Sequence, residues 1–216
     1  VSGYFDRVDQ LAQEAARWSG RAPGIYFTLN PVKPALLARA KNCLKERPKN
    51  TTSDADVLRR RWLLVDFDPR RPAGISATDA EHQAALDRAR LVRDQLASRG
   101  WPAPVEAGSG NGAHALYALD LPNNADVTEL LKRCLQALDF AFSDAAVAVD
   151  TTTFNASRIT KCYGTMTCKG DSTQERPHRL SGLLIVPPLL THVPVDLLEA
   201  LAAQLPRAAE PVRGQA

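Results

Sequence analysis

The run Trp62-Leu63-Leu64-Val65-Asp66-Phe67-Asp68-Pro69 constrains this chain more than any other segment. An apolar stretch ends in two carboxylates separated by one residue. Side chains of a β-strand alternate between faces, so Asp66 and Asp68 share one face and Phe67 takes the other. Two carboxylates on one face near the end of a buried strand repel each other and are costly unless a hard cation neutralises them. The run therefore reads as a metal site built on a sheet. Taken alone, it leaves open a strand that ends in a solvated acidic turn.

A second segment, Gly108-Ser109-Gly110-Asn111-Gly112-Ala113-His114, precedes the alternating run Ala113–Leu119. Its glycines permit positive φ and close approach of backbone to a ligand. Successive N–H groups in such a loop can form a nest for phosphate. Ser109 adds a hydroxyl and His114 a ring donor. The loop lies between two expected strands and opens no helix, so it is neither a Walker loop nor a dinucleotide fingerprint. A Gly-rich hairpin turn is the alternative.

The third piece, Ala145-Ala146-Val147-Ala148-Val149-Asp150, is another short apolar strand ending in a carboxylate. Downstream comes Phe154-Asn155-Ala156-Ser157-Arg158-Ile159-Thr160-Lys161-Cys162-Tyr163-Gly164-Thr165. If that segment is extended, Arg158 and Lys161 start on opposite faces, and a bend near Arg158 brings both cations to one ligand. Three carboxylates, a histidine and two cations match a metal–triphosphate site. Singly, Arg158 and Lys161 read equally well as surface charge.

The ordered set Asp-x-Asp, Ser-Gly-x-Gly-x-His, apolar-Asp and Arg-x-x-Lys-x-Tyr-Gly-Thr resembles the archaeo-eukaryotic primase superfamily. More narrowly it is similar to the bacterial primase-polymerase group, including CRISPR-associated members. Tyr26-Phe27-Thr28-Leu29-Asn30-Pro31 and Arg71-Pro72-Ala73-Gly74-Ile75-Ser76 also look like that group, and the resemblance runs from about Gly24 to Pro187. It implies template-directed nucleotidyl transfer from nucleoside triphosphates. Asp66, Asp68 and Asp150 would hold two Mg²⁺ or Mn²⁺ ions. Ser109, the backbone of Gly110, Asn111 and Gly112, and His114 would contact the triphosphate, with Arg158 and Lys161 adding positive charge. The implied partners are single-stranded or primed DNA, nucleoside triphosphates, and a fused or associated helicase or CRISPR-associated protein. Asn30, Arg70 and Arg71 are secondary candidates for nucleotide or template contacts.

The fold class expected is α+β. The order from Leu63 to Val149 reads β-α-β-β-α-β, the split βαβ or ferredoxin-like unit, with helices on one face and the other face open. The family's RRM-like core carries an extra N-terminal α/β unit, with the cleft between them. One catalytic domain over 1–206 is expected: an N-terminal unit 1–61, the core 62–190 and a closing helix within 191–206, followed by a polar tail, 207–216. Apolar spacing predicts helices over Tyr4–Trp18 and Val127–Phe142 and one opened by a Thr78/Glu81 capping box. Pro34 reads as a helix start.

Length and a 44% hydrophobic content suit one globular domain, and no apolar run approaches a membrane span. No signal peptide is visible, and a cytoplasmic protein is expected. The start at Val1 and the polar end read as the limits of a domain cut from a longer chain. The four cysteines are scattered and read as buried free thiols, since Cys162, Cys168 and His178 have poor zinc spacing. Net charge is only +3, but Lys33–Arg71 carries eleven Lys and Arg against five Asp and Glu, a surplus of six. Basic surface beside a metal site suits a phosphate-rich template.

Two other classes compete. A metal-dependent nuclease or nucleotide phosphohydrolase uses the same ions. A non-catalytic RRM-like module would bind nucleic acid through sheet-borne aromatics. Here the expected sheet face offers carboxylates, and aromatic content is only 6%, which counts against the module more than against the hydrolase.

Overall fold

The structure, a computed structural model, describes residues 1–205. The expected polar tail, 207–216, lies outside the described residues. In chain order the elements are β1 (Ser2–Tyr4), α1 (Val8–Trp18), β2 (Tyr26–Thr28), a 3-10 segment Pro34–Arg39, β3 (Cys43–Lys45), a 3-10 turn Asp54–Asp56 and β4 (Arg59–Pro69). Then follow α2 (Asp79–Ala97), β5 (Val105–Gly108), β6 (Ala113–Pro122), α3 (Ala125–Phe142), β7 (Val147–Val149), β8 (Ile159–Lys161), β9 (Met166–Thr167), β10 (Arg179–Leu180), β11 (Gly182–Ile185) and α4 (Val195–Ala202). The protein is of the mixed α+β class.

The central sheet has five strands in the order β11-β5-β6-β4-β7, every pairing antiparallel. Alternation along β4 divides its side chains as the sequence pattern requires. Leu63, Val65 and Phe67 enter a core shared with Ala85, Val92 and Leu96 of α2, Leu131, Leu135 and Leu138 of α3, and Leu198 and Leu201 of α4. Burying these aliphatic side chains contributes about 1.5–3 kcal/mol each. The opposite face carries Trp62, Leu64, Asp66 and Asp68. Leu64 packs there with Leu29, Val105 and Leu116, and Trp62 and Tyr163 pack around them.

α2 starts where its sequence dictates. Thr78 Oγ1 accepts the Glu81 amide at 3.1 Å, and Glu81 Oε2 accepts the Thr78 amide at 2.9 Å. Helix α1 begins at Val8 and not at Tyr4, because Ser2–Tyr4 pairs with Cys43–Lys45 as a two-stranded sheet. Pro34 opens a six-residue 3-10 segment in place of an α-helix.

A long-range pairing helps to place the N-terminal elements against the open face. β2 joins β8 antiparallel, with Tyr26 opposite Lys161 and Thr28 opposite Ile159. No described helix is long and apolar enough to cross a membrane.

Candidate active site

β4 gives the site its frame. Asp66 stands directly opposite His114 of β6, and its carbonyl accepts the Asp150 amide at 2.9 Å on the other side. Residues opposite one another on antiparallel strands point to the same face. Asp66 is therefore flanked by His114 and Asp150 across the sheet, with Asp68 two residues along the strand.

These groups border a recess of about 230 Å³. It is lined by Tyr26, Leu64, Asp66, Asp68, Ser109, Asn111, His114, Thr153, Arg158, Ile159, Thr160, Lys161, Thr167 and Lys169. The structure thus brings Asp66, Asp68, Ser109, Asn111, His114, Arg158 and Lys161 to one place. Asp150 stands beside the recess but does not line it, and its Oδ1 accepts the Thr152 amide at 2.7 Å.

The two aspartates differ in environment. Asp66 is largely covered, and its buried Oδ1 has no hydrogen-bond partner among the described residues. His114 Nε2 lies 3.4 Å from it. Asp68 is about half exposed, at 50%. Burial, and then the Asp66 carboxylate, push Asp68 up to about 6, while Arg71 and Lys169 pull the other way.

His114 is held from behind. Its Nδ1 shares a 2.7 Å hydrogen bond with Tyr163 Oη, and the two rings meet edge to face with centroids 5.8 Å apart. Burial lifts the Tyr163 phenol well above its ordinary value, so it stays protonated.

The Gly-rich loop is a tight turn stitched to its surroundings. Gly112 N donates to Ser109 Oγ and Ser109 N donates to Gly112 O, both at 2.9 Å. The Ser109 hydroxyl accepts in that turn and keeps its own hydrogen for a ligand. Thr167 Oγ1 donates to Ser109 O at 2.8 Å. Gly110 has φ +94°, and a Cβ on Gly112 would lie 2.2 Å from Phe67 O, so both positions require glycine. Asn111 is buried. Its Oδ1 accepts the Ala77 amide at 2.8 Å, which ties the loop to the start of α2 and leaves Nδ2 without a partner among the described residues.

Lys161 is 3% exposed, and its Nζ has no hydrogen-bond partner among the described residues. The ammonium rests over the Tyr26 ring, 4.4 Å from its centroid, a cation–π contact between register partners. Burial, and then the neighbouring Lys169, pull it down to about 8. Thr160 Oγ1 is also buried and unpaired among the described residues. Arg158 lines the recess while bracing the turn before it: Nε donates to Asn155 Oδ1 at 2.9 Å, and Nη2 to Thr152 O and Oγ1.

No known family's sequence profile matches the chain, and no curated protein matches it in sequence. Among solved structures, the AEP domain of the cyanophage S-2L primase-polymerase (PrimPol) is similar. The identity is 18%, over 69% of this chain and 64% of that one, with a TM-score of 0.41. The chain thus spans a little under two thirds of that domain. A likeness of this extent leaves the chemistry to be read from the chain's own groups.

Do those groups suit a metal ion? Among the described residues, no three His, Cys, Asp or Glu side chains converge as a ligand set. The side chains that line the recess instead offer a carboxylate pair, one oxygen of it buried and unpaired. Mg²⁺ is ordinarily held by one or two carboxylates, with water and substrate phosphate completing its shell. The donor set of Asp66 and Asp68 fits that pattern, and Asp150 retains a second carboxylate oxygen beside it.

Two secondary candidates, Asn30 and Arg71, need correction, and the basic run Arg59–Arg61 is tied into the fold. Asn30 is no ligand contact. It is 4% exposed, its Nδ2 donates to Ala156 O at 3.0 Å, and its Oδ1 accepts the amides of Arg61 at 2.8 Å and Trp62 at 3.3 Å. Arg60 is 2% exposed and donates to Phe154 O, so it cannot reach a template. Arg59 and Arg61 share a face, as alternation requires, but both pair with Asp120. Arg71 is largely buried and holds the carbonyls of Pro69 and Ile75 at 3.1 Å. Lys169, which lines the recess, had no local sequence signal beyond residue type. Tyr26, also in the lining, was marked in sequence only as part of the Tyr26–Pro31 segment, and its place at the site comes from its pairing with Lys161.

Proposed function

We propose that the protein is a template-directed nucleotidyltransferase, a primase-polymerase that makes and extends primers from nucleoside triphosphates. One observation carries the reading. An unpaired buried carboxylate oxygen of Asp66 and the unpaired buried ammonium of Lys161 border the same recess without pairing with each other. A ligand that satisfies both must carry cationic and anionic parts, and a metal-bound triphosphate does.

In this reading Asp66 and Asp68 would hold Mg²⁺ or Mn²⁺, with Asp150 offering a further carboxylate oxygen beside them. The ions, when bound, assist deprotonation of the attacking hydroxyl and neutralise charge on the leaving pyrophosphate. The chain's own groups position the triphosphate: the Ser109 hydroxyl, the turn amides of Gly110 and Asn111, and His114 steadied by Tyr163, while the Gly112 amide is held by Ser109 Oγ within the turn. Lys161, Lys169 and Arg158 supply positive charge where pyrophosphate charge develops. A 3′-hydroxyl oxygen bonds to the α-phosphorus. The α–β bridging P–O bond breaks, the hydroxyl proton passes to solvent, and pyrophosphate departs.

The β4-α2-β5-β6-α3-β7 order, with α2 and α3 on one face and the carboxylates on the other, is what we read as the RRM-like catalytic core. The N-terminal elements then form the second wall of the cleft. Single-stranded or primed DNA is the template in this account.

Incubation of the protein with single-stranded DNA, nucleotides and Mn²⁺, with and without a primer, tests the reading. Template-dependent products are expected. Release of nucleoside monophosphates without incorporation, or shortened strands, would put the hydrolase in its place.

A further inference from the structure

A second recess, of about 420 Å³, abuts the first. It is lined by Asp68, Pro69, Arg70, Arg71, Pro72, Ala73, Gly74, Ala148 and Lys169, so Asp68 and Lys169 belong to both. From these shared walls we infer that the second recess seats the acceptor strand, the polynucleotide end whose 3′-hydroxyl is extended. The inference rests on the nucleotidyl-transfer reading and adds where the second substrate lies.

The argument begins with the number of substrates. Transfer between two phosphate-bearing molecules needs two seats that meet at the same carboxylates, close enough to align hydroxyl and phosphorus. The recess containing Lys161, His114 and Ser109 offers buried donors for a compact, highly charged group. Its neighbour is different in kind. Arg70, Pro72, Ala73, Gly74 and Lys169 are exposed, which makes it an open groove from which a polymer can leave. Pro72, Ala73 and Gly74 give it a small neutral stretch of lining that suits a sugar, and Arg70, Arg71 and Lys169 add cations to the same lining.

The cations have separable duties. Arg71 is tied up by Pro69 O and Ile75 O, so it shapes the turn and faces Asp68 at 3.9 Å. Arg70 is held at its backbone and at one guanidinium nitrogen: its amide donates to Ala146 O at 2.7 Å and its Nε to Asp144 O at 2.6 Å. Its terminal nitrogens make no hydrogen bond among the described residues, and on this exposed residue they are free to meet a phosphate. Lys169 stands by Asp68 at the boundary of the two recesses, and its backbone carbonyl is fixed by Ser76 Oγ at 3.1 Å. A chain entering along Arg70 therefore brings its end to Asp68, the carboxylate that both recesses share.

Arg70→Glu and Ala73→Glu test this, because each places an anion in the groove and neither residue lines the nucleotide recess. The probe is primed DNA with a recessed 3′-hydroxyl, followed by fluorescence anisotropy across several salt concentrations and by extension kinetics. Each variant is expected to raise the Kd and the KM for primed DNA about tenfold. Arg70→Glu should also lower the salt slope by about 0.7–0.9 per lost phosphate contact. Affinity for nucleoside triphosphate with Mn²⁺, measured without DNA, should stay within twofold of native. If native protein extends primers and both variants bind primed DNA as it does, the groove assignment is overturned and the functional reading stands. If native protein binds triphosphate but extends no primer, both are overturned.

Discussion

Asp66 and His114 face each other across adjacent strands, with Asp66 Oδ1 3.4 Å from His114 Nε2 and the far side of the imidazole bonded to Tyr163 at 2.7 Å. This line of three side chains orients the histidine towards the carboxylates from behind. Tyr163→Phe removes the orienting bond and little else. It should cost about 1 kcal/mol of stability and lower kcat/KM for nucleotide by about tenfold, without changing the extension product. Steady-state extension alongside thermal unfolding separates the two effects.

Asp68 carries a penalty in the metal-free protein. Its carboxyl lies near 6 in the folded state against an ordinary 3.8, so the folded form binds the extra proton between those values. Stability is therefore highest below the unfolded value and falls as pH rises from about 4 through about 6. The full shift corresponds to about 3 kcal/mol. Half exposure and solvent screening reduce that to about 1 kcal/mol. Asp68→Asn should stabilise the metal-free protein by that amount at pH 7, with the gain gone at pH 4, while abolishing incorporation. Urea unfolding at the two pH values with chelator present measures it.

Lys161 predicts the opposite slope. Its ammonium lies near 8 when folded and 10.5 when exposed, so the unfolded chain binds more protons between those values. Stability then rises with pH from about 8 to about 10.5, by at most about 3 kcal/mol for so buried a group. Lys161→Met should remove that rise and stabilise the protein at pH 7, because a buried charge without a partner is lost. It should also weaken triphosphate binding at least tenfold. Denaturant midpoints from pH 7 to pH 10, with a nucleotide titration at pH 7, test both parts.

Much of this was legible in the sequence wherever the determinants are local. Period-two alternation separates Asp66 and Asp68 from Phe67, and the capping box places the start of α2. Glycine chemistry marks the loop from Ser109 to Gly112. What was not legible depends on contacts between distant segments. The Tyr26–Lys161 pair exists only because β2 meets β8, and Lys169 reaches Asp68 only because the β9–β10 region folds back over the Gly-rich loop. Arg60 and Asn30 look like surface polar residues in sequence. A register shift between Arg60 and Trp62 and the backbone of 154–156 draw both inside.

Asn30 therefore matters to the site from a distance. It clamps the β4 irregularity to the segment leading from Asp150 to Arg158. Asn30→Ala leaves Ala156 O and the Arg61 amide unsatisfied in a buried place, a loss of about 2–3 kcal/mol. Asn30→Asp should recover the Arg61 bond but not the Ala156 bond. Chemical denaturation of both variants should rank Asn30→Asp between native and Asn30→Ala.

Calorimetric titration of a nucleoside triphosphate into the protein, with and without Mn²⁺, bears most directly on the central claim that Asp66, Asp68 and Lys161 hold one metal–triphosphate ligand. The account predicts binding that needs Mn²⁺ and falls at least tenfold both in Lys161→Met and in the double variant Asp66→Asn, Asp68→Asn. Native affinity and undiminished Mn²⁺ dependence in the double variant would contradict it.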